Sequence, residues 1–221
     1  MKIVIRTDAS SQIGTGHVMR CLTLAECLRN KGAEVHFICR ELSGHLIDVI
    51  SNKGFAVHHL PCPSPGESVA SNKGLPTHAP WLEVSWQQDL TESIAAMKII
   101  APAVADWLVV DHYALDHRWE CGMREVARKI MAIDDLADRL HDCDLLLDQN
   151  YFEDVQSRYA SRVPADCCSL LGPGFALLRR EFVQARRFSK HRGNRVARIL
   201  VYFGGNDQLT LTGQTLSAIK R

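Results

Sequence analysis

The 221-residue chain lacks a dominant charge: 26 Lys and Arg against 25 Asp and Glu give a formal net charge of +1. That balance removes the electrostatic case for nucleic acid or a membrane surface as partner. No hydrophobic run reaches the length of a bilayer span, and Met1-Lys2 leads at once into a short apolar run rather than a signal peptide. A soluble cytoplasmic protein is expected. The eight cysteines (Cys21, Cys27, Cys39, Cys62, Cys121, Cys143, Cys167 and Cys168) include no C-x-x-C pair. Reduced, buried thiols are therefore expected rather than disulfides or a zinc site. Neither a G-x-S-x-G elbow nor a Walker loop occurs. What is present is 46% hydrophobic residues, enough to fill one full α/β domain plus a fragment, or two small domains.

Residues 3–5 read as a buried strand and 21–28 have the spacing of an amphipathic helix, with a glycine-bearing loop between them. Further strands are expected at 35–39, 55–60, 107–110, 130–133 and 145–147. Helices are expected at 42–50, 81–100, 118–128, 151–163 and 179–187. Strands alternating with single helices predict an α/β, Rossmann-like parallel sheet with right-handed crossovers. Residues 61–80, with five prolines, interrupt the alternation and read as a long loop, either functional or a tolerated surface insertion. The basic, apolar-poor stretch 188–197 reads as a linker between a domain at 1–187 and a second one starting at 198–221. There a strand at 198–203 and a helix from 210 begin another α/β unit. One such unit cannot bury its own faces, so the chain is expected to be shorter than the architecture it begins.

The chemistry gathers around residues 6–20. In Gly14-Thr15-Gly16-His17-Val18-Met19 the third glycine of a dinucleotide fingerprint is replaced by Met19, which disfavours NAD or FAD. Gly14 and Gly16 still permit positive φ and close approach of the backbone to a ligand. Free amides at the start of the following helix favour an anion there. An imidazole at that position is held neutral by the positive helix end and suits a general base, as in the handling of a catalytic histidine by triosephosphate isomerase. The alternative is that His17 only caps the helix. Asp8 is placed either to orient His17 or, with Ser10 and Ser11, to satisfy turn amides. Three later strands end in Asp111-His112-Tyr113, Asp134-Asp135 and Asp148-Gln149-Asn150, which suggests a polar cleft at one sheet edge. No ligand spacing specific to a metal is present, so neither metal nor cofactor is expected. His45, His58, His59, His78, His117, His141 and His191 read as surface or strand histidines without partners.

Arg6-x-Asp8-x-Ser10-x-x-Ile13-Gly14-x-Gly16-His17-x-Met19-Arg20-Cys21 resembles the opening of the UDP-2,4-diacetamido-2,4,6-trideoxy-β-L-altropyranose hydrolases of bacterial pseudaminic acid biosynthesis. The resemblance continues through Val110-Asp111-His112-Tyr113, residues 133–139, 143–150 and 171–179, and Phe203-Gly204-Gly205-Asn206-Asp207. The insert 61–80 is the least similar part. The resemblance implies the amino-terminal half of a GT-B-like two-domain architecture with an incomplete second domain. It also implies metal-free, inverting hydrolysis of a UDP-linked sugar by water. The family's catalytic histidine falls on His17 and its sugar-side tyrosine on Tyr113. Arg6, Asp8, Gly14, Gly16, Arg20, Asp111, Asp135 and Gly205 are the further expected substrate contacts. The expected partner is the UDP-sugar alone, bound by a monomer. Because the resembling enzymes hold most uridine and diphosphate contacts in the second domain, weak or absent hydrolysis by this chain alone is expected. A non-catalytic, sugar-binding remnant is the alternative reading.

Overall fold

Short runs of Ile, Val, Leu and Ala fold as parallel strands buried on both faces, as the computed structural model shows for residues 1–63, 74–188, 196, 198–203 and 210–219. The chain divides into two units, Met1–Leu177 and Leu178–Arg221. In the first unit the strands are β1 (Lys2–Thr7), β2 (Glu34–Arg40), β3 (Ala56–Leu60), β4 (Ala105–Asp111), β5 (Ala127–Ile133), β6 (Leu145–Asp148) and β7 (Cys168–Leu171). They pair in the order β3-β2-β1-β4-β5-β6-β7, parallel throughout. This is the expected Rossmann-like α/β sheet.

Alternation along each strand sends successive side chains to opposite layers. Ile3, Ile5, Phe37 and Val109 pack with Val18, Cys21 and Leu22 of α1 (Gly16–Asn30) and with Ile47 and Ile50 of α2 (Ile47–Asn52). Val4, Leu108, Ile130 and Leu146 pack with Ala96 and Met97 of α3 (Trp86–Ile100) and Trp119 and Met123 of α4 (His117–Met123). The chain runs outward from β1 to β3 and returns to β4 on the other side, so the strand order reverses between β1 and β4. A crevice opens outside the carboxyl ends of strands at such a reversal. The loops after β1 and β4 flank it.

Several local expectations change. α2 begins at Ile47 rather than 42, behind a turn in which Gly44 has φ +84°. The helix expected over 81–100 is split: a 3-10 turn spans Ala79–Leu82, Glu83 takes φ 56°, and Ser85 then caps α3 by accepting from the Gln88 amide. Turn chemistry, not periodicity, sets that boundary. α4 stops at Met123, and β5 starts at Ala127 because its pairing with β4 extends back to Ala105. Residues 151–163 form turns, with Tyr159 as their one buried side chain. The spacing of Phe152, Val155, Tyr159 and Val163 fits a helix, but the chain turns instead and buries only Tyr159, whose hydroxyl donates to the Asp134 carbonyl.

The second unit contains α5 (Arg180–Arg186) and α6 (Leu211–Ile219). The strand expected at 198–203 does not form: Ile199, Leu200 and Tyr202 are exposed and no described strand lies beside them. A strand without a hydrogen-bonded neighbour has nothing to hold it extended. Gly205 and most of the proposed linker at 188–197 lie outside the described residues, as does the middle of the 61–80 insert. The cysteines are free, but only Cys21, Cys39 and Cys143 are buried, while Cys27, Cys62, Cys121 and Cys168 are exposed. Among the described residues no helix is long and apolar enough to cross a membrane.

Candidate active site

Two loops meet at the strand reversal. The first leaves β1 at Thr7, turns through Ser10–Gly14 and enters α1. Ser10 Oγ accepts from the amides of Gln12 and Ile13, and the Gly14 amide donates to the Ser10 carbonyl at 2.8 Å. Gly14 has φ 79°, a conformation glycine adopts without the Cβ penalty. Gly16 does not use the positive φ open to it, and a Cβ at either position would meet no heavy atom within 4 Å. Thr15 makes no side-chain capping bond to α1. The second loop carries Asp111, His112 and Tyr113 off the end of β4.

His17, in the first turn of α1, points its Nδ1 at Asp111 Oδ1, 2.5 Å away. Arg20, one turn later, grips the same carboxylate from the other side: Nε donates to Oδ2 at 2.6 Å and Nη2 to Oδ1 at 2.6 Å. Asp111 is fully buried. Burial alone would raise its pKa, but the contacts with His17 and Arg20 outweigh that and hold it well below the usual carboxylate range. An ionised carboxylate at Nδ1 selects the imidazole tautomer protonated there and leaves Nε2 as a lone-pair acceptor. A histidine so oriented can take a proton from water.

Arg20 also reaches Asp135 at 3.4 Å, and Asn150 Nδ2 donates to the same Asp135 oxygen at 3.0 Å. Tyr113 O–H donates to the other Asp135 oxygen. Burial, then the bond to Asp135, push the Tyr113 phenol's pKa up, so it stays a donor. The ends of β4, β5 and β6 thus converge on Arg20. The Tyr113 ring stands edge-on to His17 with centroids 4.5 Å apart.

Asp8 and Arg6 belong elsewhere. Both are buried with no exposed side-chain surface, and Arg6 Nη1 donates to Asp8 at 2.6 Å while Nη2 donates to Asp89 at 2.6 Å. Asp8 further accepts the Arg40 amide at 2.7 Å and faces His112 Nε2 at 3.4 Å. Asp89 also takes Arg40 Nη2 at 2.8 Å and Trp119 Nε1 at 3.0 Å. Neither Arg6 nor Asp8 presents a free group to a ligand, and Asp8 does not orient His17. Their charges are spent fixing β1, β2 and α3 beneath the site. Burial holds the pKa of His112 below its ordinary value, so this network contains a neutral imidazole.

Asp89 was not anticipated, though a signal exists. It sits on the same face of α3 as Ser93, Ala96 and Met97, a carboxylate within a buried stripe. His141, expected to lack a partner, is buried between Glu120 and Asp134, at 2.8 and 3.8 Å. Trp81, expected only as the start of a helix, and His78, expected to lack a partner, also stand at the site. Their rings lie within 6.5 Å and 5.5 Å of the rings of His17 and Tyr113 respectively. Among the described residues no group of three or more His, Cys, Asp or Glu is arranged to hold a metal ion.

Across its whole length the chain is 29% identical to the UDP-2,4-diacetamido-2,4,6-trideoxy-β-L-altropyranose hydrolase of Campylobacter jejuni, and spans 66% of that protein. It is 22% identical over 222 aligned residues to an uncharacterised protein of Methanocaldococcus jannaschii, covering 99% of this chain and 40% of the archaeal one. The chain thus spans less than two thirds of either relative. No family model matches. Among solved structures, MurG of Acinetobacter baumannii aligns with a TM-score of 0.48 and 10% identity, covering 77% of this chain and 44% of MurG.

Proposed function

We propose that the Met1–Leu177 unit carries the sugar-side chemistry of a nucleotide-sugar hydrolase. The substrate is a UDP-linked 2,4-diacetamido-2,4,6-trideoxy sugar, and the product feeds pseudaminic acid biosynthesis. The observation that carries this reading is the His17–Asp111 contact of 2.5 Å at the strand reversal. The similarity along the whole chain to a hydrolase of that substrate supports it.

In the proposed step His17 Nε2 takes a proton from water as the water oxygen bonds to the anomeric carbon. The bond from that carbon to the diphosphate oxygen breaks and its electron pair leaves with UDP. Attack from the face opposite the leaving group inverts the anomeric centre. Asp111 stabilises the imidazolium that forms, and Arg20 keeps Asp111 ionised and in place. Tyr113, beside the His17 ring, contacts the sugar.

The test uses the chain in excess over the UDP-linked sugar, so that even slow cleavage is read. UDP is measured by chromatography and the new anomeric configuration by NMR. UDP formation above the spontaneous rate, with inversion and loss in His17→Ala, is the expected result. Sugar binding without any UDP formation would replace this reading with that of a sugar-binding domain.

A further inference from the structure

The rings around His17 form an unassigned group. The 3-10 turn Ala79–Leu82 is anchored by Ala79 and Leu82, 7% and 1% exposed, and its Trp81 is left half-buried. Trp81 lies 5.8 Å from the Tyr113 ring at an interplanar angle of 35°, and 6.5 Å from the His17 ring. His78 closes the group, 4.4 Å from Trp81 and 5.5 Å from Tyr113. The Nδ1 atom of His78 is buried and without a hydrogen-bond partner among the described residues.

The charges nearby are already used. Arg20 is bound to Asp111 and Asp135, Arg139 to Asp134 and Asp138, and Arg158 to the Asp135 carbonyl. Arg20 and Arg139 are each paired with two carboxylates, so this corner suits an uncharged group better than a diphosphate. Aromatic faces with one convergent polar atom are the usual lining for a ligand of mixed character.

We infer that Trp81, with His78 and Tyr113, is a stacking wall for the apolar, methyl-bearing part of a deoxygenated, N-acetylated sugar, holding it beside His17. The inference rests on the proposed hydrolase reading and names the residue that selects the sugar. A 6-deoxy, diacetamido sugar offers three methyl groups and few hydroxyls. An aromatic face gains from such a surface what it would not gain from a fully hydroxylated ring.

The experiment is saturation-transfer NMR with the free 2,4-diacetamido-2,4,6-trideoxy sugar, alongside UDP release from its UDP-linked form. With the native chain the sugar methyl signals should saturate. Trp81→Leu, which keeps apolar bulk but removes the ring face, should weaken sugar affinity at least tenfold. Trp81→Phe should stay within about threefold of native. Both variants should keep the native melting temperature, and any loss of UDP release in Trp81→Leu should be recovered by raising substrate concentration. Native-like affinity in Trp81→Leu, or no methyl saturation with the native chain, overturns the inference. If methyl saturation depends on Trp81 and no UDP is formed, the wall stands and the hydrolase reading falls. If UDP is formed and Trp81→Leu leaves KM unchanged, the hydrolase reading stands and the wall falls.

Discussion

Asp111 holds His17 across 94 residues of chain, Oδ1 to Nδ1 at 2.5 Å, and the two side chains come from opposite sides of the strand reversal. β1 and β4 pair directly, with Thr7 beside Asp111, so the sheet itself fixes the distance between the loops that follow them. The pair is rigid because its support is the centre of the sheet.

If His17 acts through Asp111, the two side chains behave as one unit in kinetics. Asp111→Asn is expected to slow UDP release by on the order of 100-fold or more. The double variant His17→Ala, Asp111→Asn should be no slower than His17→Ala alone, within about threefold. Additive losses in single-turnover rates would show that Asp111 has a separate role.

The Arg6–Asp89–Arg40 network is a matter of folding. Asp89→Ala removes the buried acceptor that Arg6 and Arg40 share, leaving Arg6 to Asp8 and Arg40 to Glu92, and breaking a buried ion pair costs up to about 3–5 kcal/mol. Urea unfolding should show that loss. A variant with native stability and a raised KM would instead return this network to the substrate.

His141 links stability to pH. Burial would lower its pKa, but Glu120 and Asp134 override this and raise it to about 9. A histidine raised in the folded state contributes stability that is full below its unfolded value near 6.5 and lost as pH climbs through about 9. The difference in unfolding free energy between native and His141→Gln chains should therefore shrink from pH 6 to pH 9.5, by on the order of 2–3 kcal/mol. A difference that does not change with pH would show that the charge is not what the pocket recognises.

The two glycines before His17 should separate in their effects. Gly14→Ala forces an alanine to φ 79° and should cost about 1–2 kcal/mol in urea unfolding. Gly16→Ala meets neither strain nor a neighbour, so stability should hold within about 0.5 kcal/mol while KM for the UDP-linked sugar rises. An unchanged KM would mean that the ligand keeps its distance from this helix start.

Much of the fold was legible because hydrophobic periodicity is local. Residues 3–5, 107–110 and 130–133 announce buried parallel strands by composition alone, and the Gly14–His17 loop marks where the first helix must begin. Boundaries were less legible where turn chemistry decides them, as at Glu83 and Ser85. The strand expected at 198–203 failed because a strand is a property of a pair. The site divided along the same line. The sequence by itself determined that a histidine stands at the first helix terminus and that acidic side chains end three later strands. Only the tertiary structure decided which acid the histidine meets. Asp8, nine residues away, turns under the sheet to Arg6, while Asp111, 94 residues away, meets the imidazole. Strand order sets such contacts, and strand order arises from packing two layers of helices on one sheet, which no local spacing records.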